Sequence, residues 1–147
     1  MKNVLIFTLT GRDRYAVELR WVREIFTLGS LTTVPTAPAC VAGVVNFEGS
    51  IVPVIWAPHL LGQPGPSRTP RPGDTLVLVE VDATRVALAV DRIDAVTTLA
   101  FSDRGGLIDS RGEVVPVLDP PTLLADARAQ VGLAAARVRE LIAGVGE

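Results

Sequence analysis

The 147 residues predict a mainly β protein built from two similar small units that share one core. Three observations carry that expectation. The apolar residues arrive as short Val-rich runs punctuated by glycine and proline, the pattern of many short strands. The stretch Gly49-Ser50-Ile51-Val52-Pro53-Val54-Ile55-Trp56-Ala57-Pro58-His59-Leu60-Leu61-Gly62 returns as Gly112-Glu113-Val114-Val115-Pro116-Val117-Leu118-Asp119-Pro120-Pro121-Thr122-Leu123-Leu124-Ala125, with seven of fourteen positions identical. A looser echo precedes it, in which Leu19, Val22 and Ile25 reappear as Val90, Ile93 and Val96. Repeated units too small to stand alone bury their apolar faces against each other.

In chain order, Val4 to Leu9 reads as a strand, Gly11-Arg12-Asp13 as a tight connection, and Tyr15 to Leu19 as the return strand of a hairpin. Arg20 to Ile25 reads as one helical turn, because Leu19, Val22 and Ile25 recur at threefold spacing. Strands follow through Ile25–Leu28 and Leu31–Val34 before Pro35 and Pro38 interrupt. Pro38 to Val41 reads as another short turn of helix, and Gly43 to Gly49 as a strand closing in a turn. The Pro53 strand then follows. A proline cannot donate to a ladder, so this strand and its Pro116 copy are expected at edges or bulges.

Residues 62–74 hold four prolines and three glycines and read as an extended linker. Beyond it the pattern restarts: Leu76 to Val81, a turn at Asp82-Ala83-Thr84, Arg85 to Val90, then the apolar stripe from Asp91 to Val96. Residues 4–62 and 75–122 are thus the expected two units. Leu123 to Ala143 reads as a helix with Leu124, Ala127, Val131, Ala135, Val138 and Ile142 near one face. Pro120 and Pro121 suit its start, and Gly132 weakens it by roughly 1 kcal/mol relative to Ala.

Composition narrows the function. Apolar residues make up 48% and charged residues 20%, enough to bury a sizeable core. A net charge of −2 without a basic, aromatic-interleaved stripe argues against nucleic-acid binding. Lys2 is the only lysine, which excludes a Gly-Lys-Ser/Thr phosphate loop and an internal Schiff base. A lone Cys40 forms no disulfide within the chain and suits a reducing cytoplasm. No apolar run reaches bilayer length, and Val4–Phe7 is too short for a secretory signal.

Catalytic constellations are thin. Cys40 and His59 are formally a nucleophile and base, yet Cys40 sits between Ala39 and Val41 and reads as a small buried hydrophobe. Metal ligands are too few for a zinc site, and no cofactor motif is present. The carboxylates Asp91, Asp94, Asp103, Asp109 and Asp119 read as a solvated rim rather than a catalytic pair. The chain therefore reads as non-enzymatic, working through edges and apolar grooves. A small-ligand-binding or catalytic β-barrel is the alternative of a different class.

The ordered set Val4-Leu5-Ile6-Phe7-Thr8-Leu9, Tyr15-Ala16-Val17, Val22-Arg23-Glu24-Ile25, Val34-Pro35, Gly43-Val44-Val45-Asn46 and Gly49-Ser50-Ile51-Val52-Pro53-Val54 resembles the CheW family. Leu76 to Val96 and Glu113 to Asp119 continue the resemblance over nearly the whole chain. It implies two intertwined five-stranded SH3-like barrels with a C-terminal helix. It also implies a cytoplasmic adaptor, recruited to receptor arrays, that joins the cytoplasmic tip of a chemoreceptor to the regulatory domain of a CheA-type histidine kinase. Other CheW-like domains are further expected partners; membrane insertion is not expected.

Carried over by position, Val22, Glu24, Ile25, Gly43, Asn46, Glu48 and Gly49 look like receptor-side residues. Kinase contacts are expected on the second hairpin, at Arg85, Val86 and Leu88. Two departures stand out. The family usually has Arg in Asn-x-Arg-Gly, where this chain has Glu48. It usually follows the proline strand with Asp-Leu-Arg, where this chain has Trp56-Ala57-Pro58. They suggest a paralogue that serves other receptors, modulates arrays or acts in a non-flagellar pathway, with Phe47, Glu48 and Trp56 as a new docking patch.

Overall fold

Two hairpins that are apolar on both faces set the architecture. The computed structural model describes residues 1–10, 13–34, 37–61, 70–103 and 105–129. Strand β1 (Lys2–Thr10) pairs antiparallel with β2 (Asp13–Glu18). After the linker, β6 (Thr75–Val81) pairs with β7 (Thr84–Val90). Val4, Leu5, Ile6 and Phe7 are all buried, as are Leu76, Val77, Leu78 and Val79. Strands of that kind need cover on both sides.

The chain provides the cover by exchange. Between the hairpins lie β3 (Val22–Thr27), β4 (Val41–Phe47), β5 (Ser50–Ile55) and a short helix, α1 (Ala57–Leu60). After the second hairpin come β8 (Arg92–Phe101), β9 (Leu107–Ile108) and β10 (Val114–Val115). One five-stranded sheet runs β10-β9-β8-β1-β2, the other β3-β6-β7-β5-β4. Each opening hairpin thus belongs to the sheet made by the other half. The units are therefore not the contiguous segments 4–62 and 75–122, because neither hairpin can bury both faces within its own half.

Side-chain alternation sorts the interior into three clusters. Val4, Ile6 and Ala16 pack with Leu99, Leu107 and Val115 inside the first sheet. Leu76, Leu78, Ala87 and Ala89 pack with Leu28, Val45, Val52, Val54 and Trp56 inside the second. Leu5, Phe7, Val17, Val77, Val79, Val86 and Leu88 form the layer between them. Cys40 is buried in that middle layer, where desolvation pushes its thiol up, as expected of a small hydrophobe.

The helical turn expected over Arg20–Ile25 shrinks to a 3₁₀ turn at Leu19–Trp21, and β3 begins at once. In the second copy it is absent. Asp91 N–H donates to Thr8 O at 2.8 Å, and the β-branched run from Ile93 to Thr98 continues as β8. Leu31–Val34 supplies only a bridge from Thr32 to Val44 rather than a strand. Pro38–Val41 is a turn closed by Val41 N–H on Pro38 O, not a helix.

The repeated stretch keeps its geometry. Gly49 and Gly112 both take positive φ, 85° and 79°, and helices start at Ala57 and again at 120. The second helix runs from 120 through 129, three residues ahead of the expected start, with Leu123, Leu124 and Ala127 buried. Its expected remainder lies outside the described residues. So do Gly11, Arg12 and residues 62–69 of the linker. Strand β5 is not an edge: it pairs with β4 antiparallel and with β7 parallel. The parallel pairing starts at Val54, so Pro53 falls where one side of the strand is open.

Candidate docking surface

The residues expected on the receptor side fall at the two ends of the second sheet. Strand β3 pairs only with β6, and it carries Glu24, exposed, and Ile25, 40% exposed, on its two opposite faces. Val22, at its start, is half-buried against the middle layer. At the other end, β4 and β5 meet in a two-residue turn, Glu48-Gly49, with φ of 50° and 85°. That pair of positive φ values suits the right-handed twist of the flanking strands. Asn46 Oδ1 accepts from Gly49 N–H at 2.9 Å and holds the turn.

Side chains close the gap between these ends. The Phe26 ring on β3 meets the Phe47 ring on β4 with centroids 4.7 Å apart. Thr32 and Val44 exchange backbone hydrogen bonds at 2.8 and 3.0 Å just beside them. Gly43 is buried there, and a Cβ on it would lie 2.6 Å from Thr32 O. Its role is to let two backbones approach, not to present a surface. Glu24 and Ile25 on β3, and Asn46, Glu48 and Gly49 at the β4–β5 turn, thus remain as the exposed band of expected residues, in two parts with the aromatic pair between their strands.

The hairpin residues expected on the kinase side divide. Val86 and Leu88 are buried in the middle layer, and β7 is paired on both edges, so neither presents a side chain. Arg85 is exposed and sits 3.6 Å from Glu80, which also accepts from Arg23 Nε at 2.7 Å. Trp56 is only 6% exposed, and Ala57 and Pro58 are buried with it. The expected Phe47–Glu48–Trp56 patch is therefore wrong at Trp56: its large ring fills the second sheet's interior.

The carboxylates also differ from a free rim. Asp94 accepts from Thr8 Oγ1 at 2.7 Å and Arg92 Nε at 2.9 Å. Burial pushes its carboxyl up, but those donors and the charges of Arg92 and Arg14 outweigh it and hold it below the usual value. Asp109 accepts from Arg14 Nη2 at 2.8 Å and from Arg111 and Glu113 N–H at 2.9 Å each. Desolvation is again outweighed, here by the two backbone donors and Arg14, and the carboxyl lies low. Spacing along the chain hid this cluster: Thr8 and Arg14 come from the first hairpin, Asp94 and Asp109 from the far half. Among the described residues, no group of three His, Cys, Asp or Glu could hold a metal. The side chain of His59 lies outside the description, and no described helix is long and apolar enough to cross a membrane.

Comparison with known proteins bears on what the band does. Residues 3–104 match the family model described as the CheW-like domain. The chain is 30% identical over 99 residues to the chemotaxis protein CheW of Rhizobium meliloti, covering 67% of this chain and 63% of that protein. It is 33% identical over 99 residues to the chemotaxis protein CheW of Klebsiella aerogenes, covering 67% and 57%. It thus spans less than two thirds of the length of each relative. Among solved structures, the scaffolding protein TtCheW of Thermoanaerobacter tengcongensis superposes with a TM-score of 0.57 at 26% identity, covering 65% of this chain and 64% of that one.

Proposed function

The chain belongs to the CheW-like domain family, and from that premise we propose that it is a non-catalytic adaptor coupling a chemoreceptor to a CheA-type histidine kinase. The observation that supports this reading is the exposed band, with Ile25 standing apolar on an edge strand. Such a residue offers an anchor to an amphipathic helix without unfolding anything. In this reading Val22, Glu24, Ile25, Asn46, Glu48 and Gly49 face the receptor tip, with Gly43 shaping the backbone behind them. Arg85, with the neighbouring Arg23 and Glu80, faces the regulatory domain of the kinase. In this reading the two sheets are SH3-like barrels, which the Ala16–Val117 and Thr32–Val44 bridges support. The protein works in the cytoplasm and is recruited to receptor arrays, where other CheW-like domains are further partners.

The test is a titration of the purified chain against a receptor cytoplasmic tip and, separately, a kinase regulatory domain. Wild type should bind both. Ile25→Asp should weaken the receptor arm by roughly tenfold or more, as for loss of an apolar anchor, and leave the kinase arm unchanged. Thermal melting of the variant should stay within a few degrees of wild type, since Ile25 lies outside the three buried clusters. If wild type binds neither partner, the coupling role is wrong.

A further inference from the structure

The interior of the first sheet ends in an open cavity of about 490 Å³, within the size range of small-ligand sites. Ile6, Ala95 and Leu99 make its apolar wall, and Arg14, Arg92 and Arg111 surround it with Asp94 and Asp109. Three guanidinium groups against two carboxylates leave a local excess of one positive charge. Both carboxylates are already engaged: Asp94 by Thr8 and Arg92, Asp109 by Arg14 and two backbone N–H groups. Among the described residues Arg14 Nε is buried without a hydrogen-bond partner. A buried donor left unpaired calls for an acceptor.

The same place in the second sheet is filled. There Phe26 pairs with Leu76 as Thr97 pairs with Val4, and Phe47 lies two residues past Val45 as Asp109 lies two past Leu107. Phe26 and Phe47 meet across that mouth with their rings tilted by 37°, while Thr97 and Asp109 leave theirs open. We propose that the open mouth binds a small organic carboxylate. Its oxygens would take donors of the exposed Arg111 guanidinium at the rim, for which the fork is suited, and its short apolar body would lie on Ile6 and Leu99.

The experiment is an NMR titration of the whole chain at fixed ionic strength with butyrate, neutral butyramide and inorganic phosphate. Butyrate should give saturable shifts at the amides of Ala95, Arg111 and Glu113, and butyramide should give none. Arg111→Gln should weaken butyrate roughly tenfold, the scale of one charge-assisted contact. Thr97→Phe retains every charge and plugs the mouth as Phe26 does its counterpart; it should remain folded and abolish the shifts. Four results would overturn the assignment: no saturation with butyrate, equal shifts with butyramide, saturation by phosphate alone, or undiminished binding by folded Thr97→Phe.

Discussion

The two sheets share a plan and differ in what fills them. Three of the seven aromatic residues, Phe26, Phe47 and Trp56, serve the interior of the second sheet, and none serves the first. The first sheet closes its interior with six aliphatic residues and ends in the Thr8–Asp94–Arg92 and Arg14–Asp109 contacts. A repeated backbone therefore tolerates two solutions at one end: an aromatic plug that resists water, or charged groups that satisfy one another and leave room. The plug also ties β3 to β4, the strands that carry the exposed Ile25 and Asn46. The charged end creates a cavity instead.

The sharpest way to break this comparison is at the filled sheet. Trp56→Ala should cost about 3–5 kcal/mol, the range for removing a large buried aromatic, against a total stability of order 5–15 kcal/mol. Urea unfolding measures it. A loss below about 1 kcal/mol would mean that the second interior is not packed around Trp56. Phe47→Ala should cost less, about 1–2 kcal/mol, because the ring is only half-buried and loses one aromatic partner. It should also loosen β3 from β4, seen as faster amide exchange at Val44, whose N–H donates to Thr32 O.

Much of this plan was open to reading from residues alone, and the limits have physical causes. The Gly49 and Gly112 stretches announce their shared turn and helix start, since positive φ and helix entry are local properties. The exchange of hairpins is not local: it follows from Leu5 and Phe7 facing one cluster while Val4 and Ile6 face another. A continuous apolar run says that both faces are covered, without saying by which strands. Likewise Asp94 and Asp109 look like rim carboxylates until β1 and β8 pair and set Thr8 and Arg14 beside them. A signal did exist: Arg14 and Arg85 stand at matching places, each second in the return strand of its hairpin.

At the charged end the expected effect is a dependence on pH. Asp94 and Asp109 both titrate below the ordinary 3.8 in the folded chain, so unfolding takes up protons in acid. Their stabilisation is fully present above about pH 4 and is lost as pH falls through the depressed folded values. Arg14→Met should flatten the Asp109 part of that decline, while Asp94, which loses only the more distant charge of Arg14 and is still held by Thr8 and Arg92, retains most of its own. Urea midpoints at a series of pH values between neutral and acid give the answer. Identical acid profiles for wild type and variant would show that the Arg14–Asp109 contact contributes no stability.

The smallest effect on the fold, and the most informative for partners, is expected at Glu48. Its counterpart region on the first sheet carries Arg111, exposed like Glu48 in the loop before a positive-φ glycine. Glu48 has no role in the packing and occupies a left-handed turn position with φ of 50°. Arg is subject to the same backbone cost there, so Glu48→Arg should leave stability within about 0.5 kcal/mol of wild type. Binding is another matter. A cation in this turn can meet a carboxylate in bidentate fashion or face the C-terminal end of a partner helix; an anion repels both. Glu48→Arg should therefore strengthen binding to a receptor tip that offers an acidic contact by about 1 kcal/mol, and weaken binding to one that offers a cation. Titrations at two salt concentrations separate a true charge effect, because a contact at the rim fades as screening increases. Equal affinities for both tips at low salt would mean that the Glu48–Gly49 turn touches neither, and the docking band would then be confined to β3 around Ile25.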